Sequence, residues 1–418
     1  MQYDVEYIRR QFPALAVEVN GYKAAYFDGP GGTQTPQRVI DAVVDYMVRC
    51  NANAGGAFLT SRNSDEVVTS AREAMADFLG CDAAEVAFGQ NTTTLMYQLA
   101  LALGRAKSDR NEILITEIDH EANRGPWQAL EERGFVIREA RFDTETCTLD
   151  LEDFKAKLNE KTLVAAFNYA SNGVGTVSDV KQMVSLAHKV GALTVVDAVH
   201  YALHGPIDVK DLGTDYLLCS AYKFFGPHIG VFYGRRDQFE NLPTYRLRVQ
   251  NNSIPYRIET GTLNHEGIAG AGEAVNFIAD IGARFGDTVE KVSPESTSER
   301  RKNVIAGMIA MENYEQPLAA KMIEDLMQID KVKVYGPPKG HPRTSTVSFT
   351  VDGVSADIVA AALGEKGIFI WDGHFYALRL VERLGLDKTG GLVRVGLTPY
   401  NTPEEIDRLI KAVGEIAS

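Results

Sequence analysis

Two residues, Asp197 and Lys223, are the strongest pointers to chemistry in this 418-residue sequence. Leu193 to Val196 is an apolar, β-branched run that reads as a buried strand, and it ends in Asp197. A carboxylate at the end of a buried strand needs a partner, because an unpaired buried charge is costly. Taken alone, a helix cap or a structural ion pair would meet that need. The next strand candidate, ending at Cys219, runs through Ser220, Ala221 and Tyr222 into Lys223, with Phe224, Phe225, Gly226 and Pro227 following. A lone lysine is ordinarily a solvated surface charge. Among aromatic residues, at the same sheet end as Asp197, desolvation lowers its pKa and makes the amine a usable nucleophile. A carboxylate facing a pyridinium nitrogen and an amine able to form a Schiff base are the two groups that pyridoxal 5'-phosphate (PLP) requires of its protein. The pair therefore points to PLP, with Lys223 as the covalent anchor and Asp197 holding the ring nitrogen protonated.

A phosphate needs its own site. Gln90, Asn91, Thr92, Thr93 and Thr94 precede an amphipathic helix whose apolar side carries Leu95, Met96, Leu99 and Leu103. Hydroxyls and free N–H groups at a helix N-terminus suit a phosphate dianion, although a plain threonine cap would look the same. His120, in Asp119, His120, Glu121, follows an apolar strand at the sheet's ligand end, where an imidazole could stack on a cofactor ring and relay protons near neutral pH. Arg394 interrupts the apolar run Leu392, Val393, Val395. It could take a substrate carboxylate through two parallel hydrogen bonds, or belong to a structural ion pair. Neither His120, Glu121 nor His265, Glu266 has a second histidine four residues after the first, so no zinc-protease motif is present. The loop Gly29, Pro30, Gly31, Gly32 has neither the ending of a P-loop nor the spacing of a dinucleotide fingerprint, which weakens ATP and NAD readings.

These residues need a scaffold that places strand ends side by side. From about residue 90 to 235, short apolar runs alternate with helical patterns, as in a doubly wound parallel α/β sheet. The expected strands are Glu112 to Thr116, Val136 to Phe142, Leu163 to Asn168, Leu193 to Asp197, Asp215 to Ser220 and Gly230 to Tyr233. Helical stretches Glu121 to Arg133 and Val180 to Val190 each have a glycine just beyond, Gly134 and Gly191, to end them in a left-handed conformation. In such sheets ligands sit beyond the carboxyl ends of the strands. After about residue 280 the pattern changes. Helical stretches near 296–328 lead into strands Thr344 to Thr350, Ile368 to Trp371 and Leu392 to Gly396, and a last helix begins at Thr402, Pro403, Glu404, Glu405. The expected division is an N-terminal segment 1–20 packing on the small domain, a PLP-binding large domain 21–284 and a small C-terminal domain 285–418.

Bulk properties agree with this reading. The length exceeds what one core supports. A net charge of −13, from 43 basic and 56 acidic residues, disfavours broad contact with nucleic acid. Cys50, Cys81, Cys147 and Cys219 form no CxxC pair, which suggests a reducing compartment rather than a zinc cage or disulfide framework. Met1 to Arg10 is charged where a signal peptide would be apolar, and no run approaches a membrane span, so a cytoplasmic protein without membrane or nucleic-acid partners is expected.

Across nearly its whole length the chain resembles the class V aminotransferase superfamily, of PLP fold type I, in its cysteine desulfurase and selenocysteine lyase branch. The resemblance is carried by Asn51, Ala52, Asn53, by Thr92, Thr93, by Asp119 to Asn123 and by Tyr169 to Gly175. It continues in Asp197, Ala198, Val199, His200, in Ser220 to Gly230, in Gly261, Thr262, and in Arg394 to Asn401. It implies a homodimer in which Thr93, Ser220 and Tyr222 bind the phosphate, helped by Thr262 of the second subunit. It also implies that His120 stacks on the ring, His200 bonds the phenolic oxygen, Asn172 lies beside the substrate and Arg394 holds its α-carboxylate. The departures concern the reaction. Desulfurases of this branch carry a nucleophilic cysteine in a small-domain loop, and here that loop resembles Ile370 to Ala377, with Tyr376 at the cysteine position and Trp371 at an arginine position. Tyr222 also stands where the family commonly has histidine before the lysine. The resulting expectation is a desulfurase-like lyase acting at Cα or Cβ of a small amino acid, cleaving a C–S or C–C bond without an enzyme persulfide. A class V aminotransferase and a noncatalytic PLP-binding protein are the alternatives.

Overall fold

The apolar runs in the first two thirds of the chain place alternate side chains on opposite faces, as a sheet covered by helices on both sides requires. The computed structural model describes residues 3–106, 109–286 and 297–418. After a short β1 (Ala25–Tyr26), the chain supplies β2 (Val86–Gly89), β3 (Glu112–Thr116), β4 (Val136–Ala140), β5 (Thr162–Asn168), β6 (Leu193–Asp197), β7 (Tyr216–Ser220) and β8 (Gly230–Gly234). Strands β2 to β8 form one seven-stranded sheet in the order β2-β8-β7-β6-β5-β3-β4. β8 runs antiparallel to both its neighbours and the remaining pairings are parallel. The alternation sorts the core: Leu114, Phe167, Val196 and Val231 enter one buried cluster, while Ile113, Ala166, Val195 and Phe232 enter the other.

Three expected elements are divided. Val136 to Phe142 stops at Ala140, and Phe142–Asp143 pairs instead with Thr148–Leu149. The stretch Glu121 to Arg133 becomes three short helical pieces, Glu121–Asn123, Gly125–Gln128 and Ala129–Arg133. Pro126, in the first turn of the middle piece, has no amide hydrogen with which to continue a helix from the preceding turn. Gly134 (φ +85°) closes the last piece in the left-handed region, as expected, and Gly191 (φ +74°) follows its helix likewise.

The third divided element joins the two halves of the molecule. The later strands are β9 (Val332–Tyr335), β10 (Thr346–Val351), β11 (Ile368–Phe369), β12 (Trp371–Gly373) and β13 (Leu392–Gly396). The expected strand Ile368 to Trp371 splits, so that β11 pairs in parallel with β1 while β12 joins the four-stranded sheet β9-β10-β13-β12. Helices α1 (Thr92–Leu103), α2 (His265–Phe285), α3 (Glu299–Leu326), α4 (Leu378–Arg383) and α5 (Pro403–Ala417) complete the frame used below. Of the helical stretch expected near 296–328, residue 296 lies outside the described residues. α5 begins with the expected cap, in which Thr402 and Glu405 bond each other's backbone N–H groups. α2 and α3 cross at Gly282 and Gly307, where a side chain at 282 would collide with the carbonyl of Asn303. The N-terminal segment reaches both halves, with the Tyr3 hydroxyl donating to the Pro399 carbonyl (3.0 Å) and the Phe12 ring against Phe225 and Tyr400. Among the described residues no helix is long and apolar enough to cross a membrane.

Candidate active site

β6 and β7 are parallel neighbours in which Asp197 lies opposite Leu218, so both strands end at the same edge of the sheet. That edge opens into a cavity of about 440 Å³ lined by Asp197, Lys223, the start of α1, His120, the loop 371–376 and Arg394. Lys223 is buried, and its ammonium donates to the carbonyl of Pro30. Burial pushes its pKa down to about 7, Arg394 adds to the fall, and Asp197 and Asp28 oppose it. Asp197 accepts the Val199 N–H at 2.9 Å and is raised to about 6, chiefly by burial. A carboxylate buried this deeply is stabilised by a cation in the cavity, which is what a protonated ring nitrogen offers.

The start of α1 forms one end of the cavity. Asn91 caps the helix by accepting the Thr94 N–H at 2.8 Å, while Thr93 stays exposed toward the cavity. Thr92 is spent differently: its buried hydroxyl donates to the Cys219 carbonyl (2.8 Å) and bonds Ser220 Oγ (2.6 Å), so it fixes Ser220 against the helix. Tyr222 stacks on His228 at 4.8 Å, and its ring lies over Gly32, where a Cβ would come within 2.9 Å of it. Helix-end N–H groups, Thr93, Ser220 and Tyr222 thus make a donor set that fits a phosphate, and the Asp197–Lys223 pair fits the rest of PLP.

His120 Nδ1 accepts the Ala122 N–H at 2.9 Å. Burial, with Lys223 and Arg394 nearby, lowers its pKa to about 4. A lowered pKa favours the neutral imidazole, which suits stacking on a ring face. His200 lines the cavity, and its Nε2 lies 3.0 Å from Thr346 Oγ1 and 3.2 Å from Thr344 Oγ1. Asn172 donates to the Phe375 carbonyl (2.9 Å), and its Oδ1 is buried without a hydrogen-bond partner. Arg394 donates to the Asn172 carbonyl (2.9 Å), lies 4.2 Å from the Phe375 ring centroid and keeps a buried, unpartnered Nε. No ion pair engages it among the described residues, which leaves its fork available to a ligand carboxylate. Thr262 is exposed and lies outside this cavity, so the cavity of its own chain does not include it.

Sequence reasoning missed Asp28, Thr344 and Thr346. Burial raises Asp28 to about 6 against the opposing pull of its backbone hydrogen bond, Arg394 and Lys223, and its Oδ1 has no hydrogen-bond partner. The polar run Thr344, Ser345, Thr346 opening an apolar strand was the available signal for the residues that hold His200.

The family model "Aminotransferase class-V" matches residues 25–300 and 303–409. The chain belongs to the class V aminotransferases. Relatives of this class V aminotransferase include a cysteine desulfurase of Pectobacterium atrosepticum, 31% identical with 100% of this chain and 98% of the relative covered. The aminotransferase-like protein FGM3 of Gibberella zeae is 32% identical, with 98% of each chain covered. Among solved structures, the apo cysteine desulfurase of Thermococcus onnurineus NA1 superposes with a TM-score of 0.85 at 28% identity, covering 100% of this chain and 98% of that one. The chain is accordingly a PLP-dependent enzyme with the desulfurase-like fold.

Proposed function

We propose that this enzyme acts at Cα or Cβ of a small amino acid and cleaves a C–S or C–C bond without forming a persulfide on the protein. The observation that carries the reading is Tyr376. It stands in the small-domain loop at the position where the resemblance calls for a nucleophilic cysteine, and it faces the cavity, whose described lining contains no thiol. Cys219, the cysteine nearest in sequence to Lys223, is fully buried in the sheet, and burial holds its thiol far above its ordinary pKa.

Bound PLP would supply an electron sink for the pair released when a bond at Cα or Cβ breaks. The protein's own groups do the rest. The amine of Lys223 would anchor the cofactor and, once displaced by the substrate amine, move a proton at Cα. Asp197 would hold the ring nitrogen, His120 one ring face, His200 the phenolic oxygen, and Thr93, Ser220 and Tyr222 the phosphate, with Thr92 steadying Ser220. Arg394 would bind the α-carboxylate, with Asn172 beside the substrate. We place this chemistry in a homodimer of cytoplasmic chains in which Thr262 reaches the partner's phosphate. The domain division at 20 and 284 is kept as part of the same proposal.

The kinship with FGM3 favours transamination as the second reading. The holoenzyme is given each candidate amino acid with and without a keto acid, while keto product, sulfide and carbon dioxide are followed. Lyase chemistry predicts turnover without the acceptor. A strict keto acid requirement would establish transamination instead, and loss of turnover in Cys219→Ser would overturn the claim that no thiol takes part.

A further inference from the structure

Resting on the PLP site and the Arg394 carboxylate contact proposed above, and replacing the small amino acid by a larger one, we infer that the substrate's side chain beyond Cβ is planar and largely apolar, and that Trp371 and Tyr376 select it. β12 and β13 pair antiparallel with Trp371 directly opposite Arg394. Opposite residues of such a pair project from the same face of the sheet, their Cβ atoms about 5 Å apart. An amino acid held by its carboxylate at Arg394 therefore has the Trp371 indole as its immediate neighbour. The indole is seated by design of the backbone, since a Cβ at Gly31 would collide with Nε1 and come within 2.9 Å of Cδ1.

Tyr376 lines the same cavity. Phe375 and Tyr376 both hold positive φ, +53° and +58°, in a region where glycine or asparagine would be cheaper. The loop is fixed there by Asn172 donating to the Phe375 carbonyl and by the Glu121 N–H donating to the Tyr376 carbonyl at 2.7 Å. The strained backbone thus presents a ring that does little for the core. Tyr376 is 67% exposed and Trp371 52%, yet both line the cavity, and His120 lies 5.6 Å from the Tyr376 ring. A planar group bound in this cavity can cover aromatic surface of both residues, which is the main favourable term available at this mouth. Charged side chains fit less well. Asp372 lines the same cavity and repels a second carboxylate, and a flexible ammonium chain offers the two rings no planar face.

The test titrates the holoenzyme with L-alanine, L-cysteine, L-lysine, L-phenylalanine and L-tryptophan, reading the visible absorbance of the bound cofactor. An aromatic amino acid should bind at least about tenfold more tightly than L-alanine, given two added aromatic contacts. That ratio should fall severalfold in Trp371→Ala and in Tyr376→Ala and be retained in Trp371→Phe. L-Cysteine or L-lysine binding as tightly as the aromatics, or a ratio that survives both alanine replacements, overturns the inference and leaves the PLP reading standing. Silence toward every amino acid overturns the parent reading as well. Should Trp371→Ala fail to fold, Tyr376→Ala and Trp371→Phe decide the question.

Discussion

At the scale of single residues the site is governed by burial acting on charge. Lys223 has its pKa brought down to about 7 mainly by desolvation. Only the neutral amine attacks a carbonyl, so attachment of PLP to the apoenzyme should quicken as pH rises toward about 7 and level off above it. An ordinary lysine would keep gaining to about pH 10.4. Stopped-flow absorbance of apoenzyme mixed with PLP across this range measures the midpoint, and a rate still climbing above pH 9 would contradict the assignment. Lys223→Ala should retain no cofactor after borohydride treatment and denaturation, where the parent chain retains it covalently. Arg394 offers a second residue-scale test. Replacing it with lysine keeps the charge but loses the planar fork and the face-on contact with Phe375. KM for the amino acid should rise about ten- to hundredfold, the range expected for one or two hydrogen bonds between charged groups, with a smaller change in kcat. Asp197 was legible in the sequence because it ends an apolar run, and Lys223 because it stands among aromatic residues just beyond the next one. Asp28 was not, because nothing adjacent to it signals that the fold will carry Arg394 and Lys223 to its side.

At the scale of elements, legibility followed the strength of the local signal. β3, β6 and β13 begin and end where expected because each is a short apolar run with polar or glycine punctuation. The stretch 368–371 was expected to be one strand because periodicity cannot show that two sheets will compete for it, and pairing with β1 is a contact across most of the chain. The antiparallel course of β8 was hidden for a similar reason: an apolar run carries no record of its neighbours' direction. Helix–helix approach was equally silent, since Gly282 and Gly307 sit in α2 and α3 as glycines that local propensity disfavours. In the structure they let the two backbones touch. Gly282→Ala gains helix propensity but forces the helices apart, so overpacking should win and destabilise the protein by about 1–3 kcal/mol. The change should be visible as a lower urea midpoint with an unchanged slope, and an unchanged or higher midpoint would show that α3 yields at no cost.

At the scale of the whole molecule, the surface leaves apolar area that one chain does not cover. Val44, Met47 and Val48 project from the helix Gln37–Arg49, and Phe58, Leu59, Leu247 and Val249 are also largely exposed. So many large apolar side chains in the open are characteristic of an interface, which supports the homodimer proposed above. Thr262 is exposed and outside its own chain's cavity, and a dimer would let it serve the partner's. Thr262→Ala should then weaken PLP binding by about 1.5–3 kcal/mol, the usual worth of a hydrogen bond to a charged group. That loss alone does not tell which chain's site Thr262 serves, but mixed dimers do. When Lys223→Ala and Thr262→Ala chains are combined, a chain with Lys223 intact receives an unaltered Thr262 only from its partner. Re-pairing should therefore create one fully native site per mixed dimer and restore tight cofactor binding, although neither parent preparation has it. The measurement is the PLP affinity of the dissociated and re-associated mixture, followed by visible absorbance, with sedimentation reporting the dimer. If Thr262 acted within its own chain, every site with Lys223 would still lack it, and the mixture would bind no more tightly than Thr262→Ala alone.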